Sequence, residues 1–188
     1  MKLEGSLLMH KDLESILISR DEIAAKVAEL GRQISADYEG QDLLAICVLK
    51  GAIIFTADLI RHLTVNVTVD SIAVSSYGKS THTSGVVRFL KDLDESVEGR
   101  HLLVIEDIID TGLTLKYLTE NLRSRNPKSL KICTLLDKPS RRQVDLQPDY
   151  CGFSIPDKFV VGYGLDFAER YRQLPDVGVL KPEAYRLQ

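Results

Sequence analysis

The chain has 188 residues, of which 44% are hydrophobic and 27% are charged, and its formal net charge is -3. This length fits one domain that buries about 70% of its unfolded surface around a single core, so we expect residues 1–188 to form one domain. The negative charge argues against a nucleic acid partner, because a polyanion needs a basic surface.

The sequence also argues against a membrane or secreted protein. No apolar run approaches the roughly 20 residues that cross a bilayer, and residues 7–9 form too short an apolar core for a signal peptide. We therefore expect a cytoplasmic protein. Cys47, Cys133 and Cys151 lack the paired spacing of a zinc site and are interpreted as small buried hydrophobic residues.

The first predicted element is a helix that begins at a capping box, Ser19 with Glu22, and ends near Gly40. The apolar run 43–49 predicts a buried strand, and Lys50-Gly51 leads into a predicted helix over 52–63. Residues 65–74 predict a strand that runs towards Ser76-Tyr77. Residues 79–85 are polar and predict a loop, and 86–90 predict the second arm of a hairpin.

Further along the chain, residues 102–105 and 130–136 predict buried strands, and 114–123 predict a helix between them. The alternation of strands and helices predicts an α/β fold with a mostly parallel sheet and right-handed crossovers. From Tyr150 onward the segments are short and aromatic and contain several glycines. This composition predicts a small cap beside the core.

Carboxylates and hydroxyls cluster between strand 102–105 and helix 114–123, where ligands bind in open α/β sheets. Glu106 and Asp107 follow the apolar run and repel each other unless a cation or a hydroxyl-rich ligand lies between them. Asp110 could either cap the helix or belong to the site, and the residues alone leave both readings open. Residues 111–114 offer amides and hydroxyls that suit a phosphate at a helix N-terminus. A phosphate beside a carboxylate pair suggests a sugar phosphate.

At this point the sequence resembles a known family. An apolar strand, Glu106-Asp107, two apolar residues and Asp110-Thr111-Gly112-x-Thr114 resemble the phosphoribosyl pyrophosphate motif of type I phosphoribosyltransferases. Further matching segments give the chain, over nearly its whole length, a resemblance to the hypoxanthine-guanine group of that family: 49–51, Ser76-Tyr77, 135–138, 157–163, Asp166 and Arg172. The resemblance implies the type I fold, a mostly parallel central sheet flanked by helices. It places the core at roughly 36–150, and a hood from the N-terminal segment and roughly 151–188 over the C-terminal strand ends.

The implied activity is that of a glycosyltransferase in purine salvage. It moves the 5-phosphoribosyl group from phosphoribosyl pyrophosphate to N9 of hypoxanthine or guanine and gives IMP or GMP plus pyrophosphate. The resemblance also implies Mg²⁺ as cofactor and a homodimer or homotetramer as assembly. Asp110 is the implied general base near purine N7, and the implied metal ligands are Glu106, Asp107 and Asp166.

The resemblance assigns the remaining residues to parts of the substrates. Glu106 and Asp107 take the ribose hydroxyls, and the 5-phosphate turn comprises Asp110, Thr111, Gly112, Leu113 and Thr114, with Ile109 beside it and Leu113 acting through its backbone. Lys50, Gly51 and Arg172 are the implied pyrophosphate-binding residues. Ser76 and Tyr77 are implied to lie on the loop that closes over the substrates. Four residues are implied to contact the purine base: Lys138 donates to O6, Phe159 stacks on the ring, Val160 binds its edge through the backbone, and Asp166 faces it.

Other functions share the same motif. A xanthine-guanine or adenine phosphoribosyltransferase differs in the hood, and a non-catalytic RNA-binding regulator can keep the fold. Lys138 favours a 6-oxopurine, because an ammonium group donates to O6 and does not match the amino group of adenine. The acidic charge and the base-site residues count against the regulator.

Overall fold

The structure is a computed structural model that describes residues 10–76 and 87–185. Tyr77 and the predicted loop 79–85 lie outside these ranges. The described elements, in chain order, are β1 (Leu13–Ile18), α1 (Arg20–Asp37), β2 (Leu43–Leu49), α2 (Ile53–Ile60), β3 (Val67–Ser76), β4 (Val87–Lys91), β5 (His101–Ile109), α3 (Leu113–Arg123), β6 (Ser129–Asp137), a 3₁₀ turn (Pro139–Arg141), β7 (Tyr150–Ser154), β8 (Val160–Val161), β9 (Val177–Leu180) and α4 (Pro182–Tyr185).

The larger sheet has six strands in the order β4-β3-β2-β5-β6-β7. All neighbours in it pair in parallel except β3 and β4, which form the predicted antiparallel hairpin. The predicted mostly parallel α/β fold is therefore confirmed. Site residue Ser76 ends β3, at the same edge of the sheet as the ends of β2 and β5.

Helices cover both faces of this sheet, which explains the continuous apolar runs of its central strands. On β5, Leu103 and Ile105 pack with the apolar stripes of α1 and α2. Their neighbours Leu102 and Val104 pack on the opposite face with Leu115, Leu118 and Leu122 of α3. Alternate side chains of the same strand thus fill two separate cores.

The smaller sheet has the order β1-β9-β8 and is antiparallel, so segments from both ends of the described chain meet in it. β7 pairs in parallel with β6, so the larger sheet includes Tyr150–Ser154, at the roughly placed limit between core and hood. The prediction for Cys151 is wrong. It lies on this edge strand and is exposed, whereas Cys47 and Cys133 are buried as predicted.

Two further element boundaries differ from the sequence predictions. The predicted helix 52–63 is shorter and spans Ile53–Ile60. The predicted strand 102–105 continues to Ile109, because its pairing with β6 persists up to Asp137. Glu106 and Asp107 therefore lie within β5, not on the connection after it. In the described part of the chain, no helix has both the length and the apolar character needed to span a membrane.

Candidate active site

Two adjoining cavities lie at the C-terminal ends of β2, β5 and β6, where parallel α/β sheets bind ligands. The first, of about 320 Å³, brings together most of the residues that the resemblance assigns to the phosphoribosyl group, pyrophosphate or metal: Lys50, Gly51, Glu106, Asp107, Ile109, Asp110, Thr111, Gly112, Thr114, Asp166 and Arg172. The second, of about 430 Å³, is lined by the predicted base-site residues Lys138, Phe159 and Val160. Asp107, Asp110 and Asp166 border both cavities.

The predicted site residues and the cavity linings do not coincide completely. Leu113 lines neither cavity, and its side chain is exposed. A larger groove of about 690 Å³ lies between α1, α2 and the hood, but its lining contains none of the predicted site residues. The predicted residues therefore converge at the sheet edge and not in this larger groove.

Glu106 and Asp107 form a carboxylate pair that is partly buried at the end of β5. Burial raises the pKa of both groups, and repulsion from Asp107 raises the pKa of Glu106 further. The Ile108 amide donates to Asp107 Oδ1 at 2.8 Å. When the ionised form of such a pair is disfavoured, a bound cation or hydroxyl donors stabilise it. The pair therefore suits both ligands that the sequence suggested.

Gly51 packs directly against this pair. A Cβ at position 51 would overlap the carboxylate of Asp107, so no larger residue fits without moving the carboxylate. The preceding Leu49-Lys50 peptide is cis, an isomer that the sequence could not reveal. Gly164 of the hood, at φ +102°, lies against the Gly51 carbonyl, and a Cβ there would overlap that oxygen. Core and hood thus meet through backbone at the first cavity.

The turn before α3 leaves the start of the helix open to a ligand. Gly112 is the N-cap residue at φ +81°, without a side-chain cap, and the first turn contains no acidic residue. The first amides of a helix lack partners within the helix and attract anions. The structure also answers the question left open for Asp110, which does not cap α3. Its Oδ1 lies 3.2 Å from Arg141 Nε.

The sequence analysis missed two arginines that hold this turn. Besides its contact with Asp110, Arg141 lines the second cavity. Arg142 Nη2 pairs with the buried Asp137, and its Nη1 donates to the Asp110 carbonyl at 3.3 Å. Their position soon after Asp137-Lys138 was the available signal. Which side chain reaches which acceptor depends on the 3₁₀ turn, which the sequence pattern did not indicate.

In the hood, Arg172 is fixed by several acceptors. Its Nη2 lies 2.7 Å from Asp166 Oδ1, and its Nη1 donates to the Gly164 carbonyl at 2.7 Å. Glu169, also missed in the sequence analysis, lies 3.1 Å from Lys50 Nζ through its Oε2. The hydrogen bond from Lys50 is the main reason that the pKa of Glu169 is lowered.

The second cavity combines a buried cation with an exposed aromatic ring. Lys138 is only 8% exposed, and its Nζ lies 3.9 Å from Asp157 Oδ1. Phe159 is 41% exposed although it stacks on Tyr185, with ring centroids 5.0 Å apart and an angle of 18°. The ring of Phe167 packs edge-on against the Phe159 ring, with the centroids 5.5 Å apart. A buried donor beside an aromatic surface can select a planar heterocycle by one polar edge.

In the described ranges, no three His, Cys, Asp or Glu side chains lie close enough together to hold a metal ion by themselves. Glu106 and Asp107 nevertheless fit Mg²⁺, which commonly binds one or two carboxylates and takes its other ligands from phosphates and water. Asp166 has less freedom, because Arg172 and the Glu169 amide already contact its two oxygens.

Comparisons with known proteins agree with this geometry. Residues 17–168 match the phosphoribosyl transferase domain family. The chain is 58% identical over 178 residues to the hypoxanthine-guanine phosphoribosyltransferase of Bacillus subtilis (strain 168), covering 95% of this chain and 99% of that protein. It is 52% identical over 181 residues to the enzyme of the same name from Mycobacterium tuberculosis (strain ATCC 25618 / H37Rv), covering 93% and 90%.

Among solved structures, a hypoxanthine phosphoribosyltransferase from Staphylococcus aureus superposes with a TM-score of 0.92 at 47% identity. The match covers 97% of this chain and 99% of that one. The fold is thus the type I phosphoribosyltransferase fold, as the sequence predicted. The chain belongs to the phosphoribosyltransferase family and is a phosphoribosyltransferase enzyme.

Proposed function

We propose that the enzyme transfers the 5-phosphoribosyl group of phosphoribosyl pyrophosphate to N9 of hypoxanthine or guanine, giving IMP or GMP and pyrophosphate for purine salvage. The observation that carries this proposal is the contact between the two cavities. One has an open helix start and a carboxylate pair, and the other has Lys138 and Phe159. The names of the relatives at 52% and 58% identity support the same substrates.

In the first cavity the amides at the start of α3 hold the 5-phosphate, and Glu106 and Asp107 accept hydrogen bonds from the ribose hydroxyls. As the bond from C1 to pyrophosphate breaks, positive charge develops on the ribose. The two carboxylates are already positioned beside this charge and stabilise it without reorganisation. Lys50, the Gly51 backbone and Arg172 hold the departing pyrophosphate, and the fork of Arg172 suits its oxygens.

In the second cavity the purine lies against Phe159 and directs O6 to Lys138. The bond from N9 to C1 forms while the purine gives up a proton, which Asp110 accepts near N7. Arg141 contacts the Asp110 carboxylate at the border of the two cavities, a position that supports this role. Val160 contributes its backbone to the edge of the base. Ser76 and Tyr77 lie on the segment that we propose closes over the reaction and excludes water.

We also propose Mg²⁺ as cofactor, held by Glu106 and Asp107, with Asp166 facing it from the hood. When bound, the ion would neutralise charge on the leaving pyrophosphate. The cytoplasm is the proposed location, which the three free cysteines support because thiols persist in a reducing compartment. A homodimer or homotetramer is the proposed assembly, to be measured by light scattering after size exclusion.

The decisive experiment is an activity assay with phosphoribosyl pyrophosphate, Mg²⁺ and, in turn, hypoxanthine, guanine, xanthine and adenine. We expect turnover of hypoxanthine and guanine and little of adenine, because Lys138 offers only donors to position 6. Preferred use of adenine would refute the base assignment, and preferred use of xanthine would make the enzyme a xanthine-guanine phosphoribosyltransferase. Absence of transfer with every base, together with tight RNA binding at physiological salt, would favour the regulator.

A further inference from the structure

A carboxylate of the enzyme lies between the two cations to which we assign pyrophosphate. Glu169 Oε2 is 3.1 Å from Lys50 Nζ and 3.4 Å from Arg172 Nη2. A single oxygen therefore contacts one cation of the core and one of the hood, although 119 residues separate Lys50 and Glu169 in sequence. In the described part of the chain, no other carboxylate lies within 4.0 Å of Lys50 Nζ.

The backbone of the hood determines this position. Ala168 and Glu169 have backbone φ values of +52° and +62°, which residues other than glycine rarely adopt. The Glu169 amide donates to Asp166 Oδ2 at 2.9 Å, which closes the loop around the carboxylate. Such a conformation persists only when its surroundings enforce it. The loop thus points Glu169 at the two cations before any substrate arrives.

The two cations depend on Glu169 to different degrees. Arg172 is only 23% exposed in its side chain and has its own acceptors in Asp166 and the Gly164 carbonyl. Lys50 is 68% exposed, and its ion pair is with Glu169. Removal of the Glu169 charge should therefore leave Arg172 in place and free Lys50 for another anion.

We propose that Glu169 is an internal counter-ion of the pyrophosphate subsite, which pairs with Lys50 and Arg172 when the subsite is empty and competes with pyrophosphate for both. This inference rests on the proposed function, which places pyrophosphate at these residues. The competition weakens pyrophosphate binding and so favours release of the product. The pair is exposed, and exposed pairs are weak, so the expected effect is about 1.5- to 5-fold in affinity.

The test compares the full-length enzyme with Glu169→Gln, which keeps the size of the side chain and removes its charge. Pyrophosphate binding is measured by titration calorimetry with Mg²⁺ at constant ionic strength, and pyrophosphate inhibition against phosphoribosyl pyrophosphate is measured in parallel. We expect pyrophosphate to bind about 1.5- to 5-fold tighter and its inhibition constant to fall by the same factor. Unchanged or weaker binding would overturn the proposal, and weaker binding would show that Glu169 helps to place Lys50.

Glu95→Gln is the matched control, because Glu95 is exposed, lies 3.8 Å from Arg100 and precedes the opposite end of β5. It should bind pyrophosphate like the unmodified enzyme.

A Lys50→Met background tests the direct contact, because there the effect of Glu169→Gln on pyrophosphate affinity should shrink. An undiminished effect in that background would overturn competition at Lys50. If the unmodified enzyme neither binds pyrophosphate nor transfers phosphoribose, the proposed function fails, whereas normal activity with no effect of Glu169→Gln refutes this inference alone.

Discussion

Substitution of Gly112 by alanine should damage both stability and phosphoribosyl binding. Gly112 has φ +81° and forms the N-cap of α3. A Cβ at this position would lie 2.9 Å from Val144 Cγ2 and 3.1 Å from Arg142 Cδ. The far end of Arg142 contacts Asp137 and the Asp110 carbonyl, so any movement of its stem disturbs the turn that we assign to the 5-phosphate.

The expected change in the free energy of unfolding has three contributions. A left-handed conformation costs a residue with a Cβ about 1–2 kcal/mol, and alanine recovers about 0.4–1 kcal/mol by restricting the unfolded chain. Crowding against Val144 and Arg142 adds about 1–2 kcal/mol, the lower part of the range for overpacked sites. The free energy of unfolding should therefore fall by about 1–3.5 kcal/mol, which lowers the melting temperature by about 2–14 °C in a chain of this size.

Gly40→Ala is the matched control, because Gly40 has φ +70° and a Cβ there would meet nothing within 4 Å. It should show only the backbone cost, about 1.5 kcal/mol or less. Melting curves by circular dichroism and kinetics with varied phosphoribosyl pyrophosphate separate the two effects. For Gly112→Ala we expect kcat/KM for phosphoribosyl pyrophosphate to drop about tenfold or more, because small displacements at reacting groups are costly. Equal melting temperatures for the two variants, or unchanged kinetics of Gly112→Ala, would refute this reasoning.

Four further predictions follow from the assigned roles. Asp110→Asn should lower kcat by about 100-fold, with smaller effects on substrate affinity, and an unchanged kcat would remove Asp110 as general base. Lys138→Gln should lower kcat/KM for hypoxanthine and guanine by about tenfold or more, since hydrogen bonds to charged groups contribute about 1.5–3 kcal/mol; a melting curve checks folding. EDTA should abolish activity and Mg²⁺ restore it, and activity after thorough chelation would contradict the metal assignment. Tyr185→Ala should raise KM for the purine several-fold and Tyr185→Phe should not, because the ring that supports Phe159 contributes about 0.5–1.5 kcal/mol; equal KM values for both variants would contradict this.

The sequence predicted the sheet well because its strands are buried on both faces. The apolar runs 43–49 and 130–136 needed no alternation to be recognised as strands, and they match β2 and β6 closely. The end of β5 was predicted too early for a related reason. Glu106 and Asp107 interrupt the apolar pattern, while the backbone ladder to β6 continues beneath them. Side-chain character thus marks where burial ends, not where strand pairing ends.

The contiguous part of the candidate site could be proposed from the sequence alone, because residues 106–114 form one strand end and one turn. Contacts made across long separations were not visible. Glu169 reaches Lys50 only because residues without special conformational freedom adopt positive φ in the hood, and no sequence rule assigns that conformation to Ala168 or Glu169. Arg141 likewise reaches Asp110 across a turn whose geometry the sequence pattern did not indicate.

The hood and the sheet contact each other at the candidate active site through backbone as well as through side chains. Gly164 lies against the Gly51 carbonyl, and its own carbonyl accepts from Arg172. Gly164 thus contacts both Gly51 and Arg172, two residues that we assign to pyrophosphate. Asp107 and Asp110 border both cavities, so one carboxylate that we assign to the ribose and the proposed general base also face the cavity that we assign to the purine. Conserving the sheet edge while varying the hood is thus a physical route by which one phosphoribosyl site can serve different acceptors.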